Sequence, residues 1–142
     1  MNCDYSRRRT DCGPEPCVRN VEKSTIQNQN FRTAVWTGCN MQMTLMCIPG
    51  HGEIGLEIHE DTDQFIRVEQ GRAVVKMGTS QRQLEFQKEI GKGDVVFVPA
   101  GTWHNVINVV NCPLKASVIY APPHHPWGTI HRTKEEAERE VY

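Results

Sequence analysis

No stretch of the 142-residue chain approaches the ~18 consecutive apolar residues needed to cross a bilayer. Its first residues, MNCDYSRRRTDCGPEP, also lack the apolar segment of a secretory signal. These two absences lead us to expect a soluble, cytoplasmic protein. An excess of one charge is missing too: 16 Lys and Arg face 17 Asp and Glu, for a net charge of −1. A surface built to neutralise phosphates needs clustered positive charge, and Arg7-Arg8-Arg9 is the only basic cluster. Nucleic acid and membrane are therefore not expected as partners. Of the 6 cysteines, none falls in a Cys-x-x-Cys pair, so a structural zinc site is only weakly signalled. Without a secretory signal, three disulfides are not expected either. Cys39, Cys47 and Cys112 are expected in or near the core, and Cys3, Cys12 and Cys17 as exposed thiols. No internal repeat or low-complexity stretch is present.

What is there divides into three parts. Residues 1–30 are poor in apolar side chains and rich in Pro, Arg, Asn and Gln, which predicts an extended arm docked through Tyr5, Val18 and Val21. Over residues 31–122 short β-rich runs alternate with turn residues, the pattern of an all-β sandwich or barrel. The runs are Thr33–Thr37, Met41–Ile48, Ile54–His59, Phe65–Glu69, Ala73–Met77, Leu84–Ile90, Val95–Val98, Val106–Val110 and Leu114–Tyr120. In Met41–Ile48 the more apolar face at its start carries Met41, Met43, Leu45 and Cys47. In Ile54–His59 one face carries Ile54, Leu56 and Ile58, and the other Gly55, Glu57 and His59. Residues 123–142 form a Pro-rich connector and a short charged helix. Thr133-Lys134-Glu135-Glu136 fits a capping box that starts this helix at Lys134 and carries it to about Val141.

The chemistry gathers around GDVVFVPAGTWHNVIN, Gly93 to Asn108. Pro99-Ala100-Gly101 makes a tight turn between two strands and leaves His104 at the mouth of whatever they enclose. Glu57 and His59 lie two apart on one strand face, where burial without partners is unfavourable; a simply wetted face is the plain alternative. With Gln64 opening the next strand, two imidazoles, a carboxylate and an amide oxygen can converge with His104. Such N/O donors without thiolate suit iron, manganese, nickel or zinc, and a merely hydrogen-bonded polar pocket stays open as the competing reading. His51 is expected as a solvated turn residue. His124, His125 and His131 are expected to be partly buried or exposed, and not ligands. Trp103, Phe65, Phe97 and Tyr120 are candidates to wall a cavity, with ordinary core the preferred role for Phe65 and Phe97.

Gly93-x5-Pro99-x-Gly101-x2-His104-x3-Asn108 resembles the second motif of the cupin superfamily at every defined position, and Glu57-x-His59-x4-Gln64-x6-Gly71 resembles the first. The resemblance is to small single-domain bacterial cupins, including those like phosphomannose isomerase. It implies a double-stranded β-helix, or jelly-roll barrel, holding a divalent metal through Glu57, His59, Gln64 and His104. Glu57 stands where the family usually has histidine, and Gln64 where it usually has glutamate, so one carboxylate is retained. The implied activity is that of a metal-dependent, isomerase-like enzyme on a small polar substrate such as a sugar, sugar phosphate or keto acid. In it a metal polarises a carbonyl or activates water, with Glu57 and His104 as catalytic residues. Arg67, Arg72 and Lys76 are candidates for the mouth. A non-catalytic small-molecule binder and a self-assembling cupin using its cysteine-rich arm are the alternatives. The resemblance also implies a homo-oligomer, at least a dimer.

Overall fold

A computed structural model describes residues 10–140. Its elements are α1 (Val21–Gln27), β1 (Arg32–Thr37), β2 (Gln42–Ile48), β3 (Asp63–Gln70), β4 (Arg72–Gly78), β5 (Phe86–Gly91), β6 (Val95–Val98), β7 (Trp103–Asn108), β8 (Leu114–Ala121), β9 (Ile130–His131) and α2 (Lys134–Glu138). The strands form a six-stranded sheet, β6-β3-β8-β2-β1-β9, and a three-stranded sheet, β5-β4-β7. All pairs are antiparallel, and the core cluster draws on both sheets, as in the expected double-stranded β-helix. Among the described residues no helix is long and apolar enough to cross a membrane.

Register decides what faces inward. Along β8, Leu114, Ala116, Val118 and Tyr120 sit opposite Ile48, Met46, Thr44 and Gln42 of β2, and the last three of them opposite Val68, Ile66 and Gln64 of β3. All of these side chains are buried. The inner face is thus graded, aliphatic at one end and polar at the other, where Gln42, Thr44, Gln64 and Tyr120 meet. On the facing sheet Ala73, Val75 and Met77 pair with Asn108, Val106 and His104. Each buried Ile, Val or Leu contributes about 1.5–3 kcal/mol to holding the sheets together.

Several expectations are corrected. The inner face of β2 is the one carrying Gln42, Thr44, Met46 and Ile48, while Met41 is exposed. Ile54–His59 is not a regular strand: it touches β7 only through isolated bridges, Glu53 with Ile107 and Glu57 with His104. The register slips by one residue between those bridges. Gly55, at φ 110°, absorbs the slip, and its amide donates to Asn105 Oδ1 at 2.9 Å. The arm docks through polar groups and a helix capped by Asn20, with Val18 fully exposed; Tyr5 and Cys3 lie outside the described residues. Buried Asp11 is its anchor, accepting from Gly13 N (3.0 Å), Thr37 Oγ1 (2.7 Å) and Gly128 N (2.8 Å). Cys39 and Cys112 are exposed because they sit in turns between strands, and Cys47 is half-buried. Phe65 and Phe97 point outward, rings 5.4 Å apart, because Gln64 and Ile66 take the inner face of β3. Helix α2 ends at Glu138; Thr133 Oγ1 caps Glu136 N at 3.1 Å, and the Glu136 carboxylate reaches Arg132 N at 3.3 Å.

Candidate metal centre

Two backbone connections fasten the two motifs together. Glu57 and His104 exchange amide hydrogen bonds, N to O at 3.0 and 2.9 Å. Gly101, at φ 78° in the Pro99–Gly101 turn, donates its amide to His59 O at 2.8 Å, and Ala100 N donates to Asp63 Oδ1 at 2.8 Å. The turn therefore positions His104 and the Glu57–His59 segment at once.

The donor atoms of Glu57, His59 and His104 all lie within 4.8 Å of one another. Glu57 Oε1 is 3.1 Å from His59 Nε2 and 3.5 Å from His104 Nε2. His104 Nδ1 faces Thr102 O at 2.9 Å; a carbonyl only accepts, so Nδ1 carries the proton and Nε2 presents its lone pair inward. His104 Nε2 is buried and has no hydrogen-bond partner among the described residues, and the same holds for Gln64 Oε1. A buried acceptor left unpaired beside a carboxylate, as His104 Nε2 is beside Glu57, is an arrangement that a cation satisfies and a plain hydrogen-bonded pocket does not. The donor set fits a divalent metal. Burial works to raise the pKa of Glu57, but in the metal-free site the His104 and His59 imidazoles, when protonated, override it and hold the carboxyl well below the usual range.

Gln64 lies on the inner face of β3 opposite Tyr120, whose ring meets His59 edge-on at 5.9 Å between centroids. Tyr120 thus walls the centre, and Trp103 is only partly buried at the start of β7. His51 is exposed on its turn and bonds Asn111 Oδ1 at 2.6 Å. The basic residues expected at the mouth are elsewhere. Arg67 pairs with Glu69 at 2.7 Å, Arg72 with Glu89 at 3.0 Å, and Lys76 borders a separate surface hollow with Gln81 and Arg82.

The connector supplies what sequence reasoning missed. The His124 ring packs, tilted, 4.2 Å from that of His59, His125 lies 4.7 Å from His124, and His131 lies 6.2 Å from His125, making a row of imidazoles that leads away from the centre. His125 and His131 are buried. Burial, with the Arg32 and His124 charges, pushes His125 down to about 2, so it is neutral. Burial and the neighbouring His59 likewise lower His124. His131 Nδ1 accepts from Arg32 Nη1 at 3.0 Å, which leaves the proton on Nε2 to meet Glu140 Oε2 at 2.9 Å. Gln42 holds the connector by its backbone: Nε2 donates to His125 O at 2.8 Å, and Oε1 accepts from His125 N at 2.9 Å and His124 N at 3.2 Å. The sequence signal was the His-His pair flanked by prolines; nothing local marks Gln42 or Arg32 as inward-facing.

A family model described as "Cupin domain" matches residues 44–120. The Uncharacterized protein YrkC of Bacillus subtilis (strain 168) is 55% identical over 127 residues, 89% of this chain and 68% of that protein. The Uncharacterized protein L612 of Acanthamoeba polyphaga mimivirus is 37% identical over 114 residues, 80% of this chain and 69% of that protein. The crystal structure of BH2720 from Bacillus halodurans superposes with a TM-score of 0.91 at 53% identity, covering 92% of this chain and 99% of that one. A family match spanning more than half of the chain, on two facing antiparallel sheets joined by these motifs, makes the protein a member of the cupin family.

Proposed function

We propose that this cupin binds a divalent first-row metal (iron, manganese, nickel or zinc) through Glu57, His59 and His104, with Gln64 as fourth donor, and acts on a small polar substrate in an isomerase-like reaction. The observation that carries the reading is the pair of buried, unpaired acceptors, His104 Nε2 and Gln64 Oε1. A bound metal of this kind supplies Lewis acidity to a substrate carbonyl. Glu57 offers Oε1 to the imidazoles and leaves its second oxygen to take a proton from the carbon beside that carbonyl. His104 is locked by Thr102 in the tautomer that keeps its lone pair on the site, and Tyr120 and His124 limit the space beside His59.

Among sugars, sugar phosphates and keto acids, an acid is favoured by Arg32. It is buried on the inner face opposite Met46, its Nε is unpaired, and among the described residues no carboxylate is within ion-pair distance of it. Cytoplasmic residence and a homodimer belong to the same reading; exposed Phe86 and Phe97 beside the edge strands β5 and β6 support the dimer.

The test is elemental analysis of protein purified without added metal, beside His59→Ala and His104→Ala. Wild type is expected to carry metal, and each variant to lose at least about tenfold in occupancy. Equal metal content in all three sinks the site. Metal-loaded wild type, incubated with keto acids and sugar phosphates in D2O, is then expected to place deuterium on the carbon next to the carbonyl. Absence of exchange across the panel removes the isomerase-like chemistry and leaves a binder.

A further inference from the structure

The arm's loop Cys12-Gly13-Pro14-Glu15-Pro16-Cys17 plays no part in the metal centre, yet it is fixed from several sides. Cys12 N donates to Val35 O at 3.0 Å and Glu15 N to Cys12 O at 3.1 Å. Two indoles grip its carbonyls, Trp36 Nε1 on Glu15 O at 2.7 Å and Trp127 Nε1 on Gly13 O at 2.8 Å. Within this frame the Cys12 and Cys17 thiols hydrogen-bond to each other, and both are reduced. Arg19 Nη2 approaches Cys12 Sγ at 3.8 Å, while its Nη1 is held by Ser24 Oγ at 3.4 Å. Cys17 is exposed and borders a hollow of about 510 Å³ shared with Arg19, Trp36 and Met41; Cys12 is half-buried behind it.

We propose that Cys12 and Cys17 form a thiol-oxidation site, an accessible dithiol that hydrogen peroxide converts to an intrachain disulfide. The roles follow from access. Peroxide oxidises exposed Cys17: its sulfur gains one oxygen to become a sulfenic acid, and the other peroxide oxygen leaves as water. The Cys12 sulfur then attacks Cys17, the S–S bond forms, and the S–OH group departs as a second water with the Cys12 proton. One peroxide takes two electrons from two thiols. Burial and the neighbouring Cys17 push the Cys12 thiol up, so it is a poor first target for peroxide, while the Arg19 charge opposes that rise and steadies the anion that attacks the Cys17 sulfenic acid. The fold has already met the conformational entropy of bringing the two sulfurs together, so the second step outruns further oxidation of Cys17.

Peptide mapping reads the result directly, because trypsin releases both cysteines in one peptide, Thr10–Arg19. After peroxide treatment of the full-length wild-type chain, that peptide should be about 2 Da lighter, resist alkylation and recover with dithiothreitol. In Cys12→Ser, Cys17 should instead run on to the sulfinic acid, about 32 Da heavier. At high peroxide, the ratio of disulfide to Cys17 sulfinic acid should be at least about tenfold lower in concentrated guanidinium, where the clamps are gone. Sulfinic acid at Cys17 of the wild type with Cys12 still alkylatable, disulfide-linked dimers through either residue, or equal disulfide-to-sulfinic ratios folded and unfolded would each overturn the proposal.

Discussion

Gln42→Leu tests whether one buried amide holds the histidine-bearing connector over the metal centre. Leucine is close to glutamine in volume, so the substitution leaves little cavity and isolates the hydrogen bonds. Gln42 is fully buried, and its amide also donates to Thr37 Oγ1 at 3.0 Å, so all of its capacity is used. Three backbone groups of His124 and His125 lose their partner, and those that stay buried are each unfavourable by about 1–3 kcal/mol. With part of that relieved by water, a net loss of about 3–5 kcal/mol is expected, against a total stability of about 5–15 kcal/mol for a domain of this kind. For a chain of this length that is a drop of about 10–15 °C in Tm.

Hydrogen exchange tells local from global loss. If the connector alone detaches, the His124 and His125 amides should lose about 100-fold or more in protection while the β8 amides keep theirs. Glu57, His59 and His104 come from other segments, so metal binding should persist with His124 no longer packed against His59. A loss below about 1 kcal/mol with unchanged amide protection would refute the role given to Gln42.

Two further outcomes follow from buried polar groups. The unfolded chain takes up a proton on His125 near its ordinary value of 6.5, but burial, Arg32 and His124 hold the folded value at about 2. Stability should therefore fall as pH drops below that ordinary value, by about 1.4 kcal/mol per unit from this group. Urea titrations at neutral pH and near pH 5 should show about 2 kcal/mol more loss in wild type than in His125→Gln, and parallel losses would refute the assignment. At the aliphatic end, buried Asn108 donates to Ile48 O (3.1 Å), Pro49 O (3.0 Å) and Cys112 O (2.9 Å) and accepts from Val110 N (3.1 Å). Asn108→Ala should cost about 2–4 kcal/mol in urea unfolding; a change under about 1 kcal/mol would show that these turns hold without it.

Local chemistry made the Gly93–Asn108 motif readable in one dimension. Proline and glycine in tight sequence set the turn, alternation set the strands, and His104 followed at a fixed spacing. Glu57 and His59 were likewise visible as two ionisable groups on one extended segment, although the slip at Gly55 that breaks this segment out of a regular strand was not. Alternation divides a strand into two faces but does not say which is inside. On β2 the face with Gln42 and Thr44 is buried because it lies at the polar end of the barrel interior, a fact set by β8 and the connector. The contacts that bury the connector histidines join residues 83 positions apart for Gln42 and His125, and 99 for Arg32 and His131. Sequence alone thus determined the scaffold and the residues able to hold a metal. Tertiary structure alone decided the histidine row behind them, the buried Arg32, and the docking of the arm through Asp11, because each depends on distant polar groups finding partners out of water.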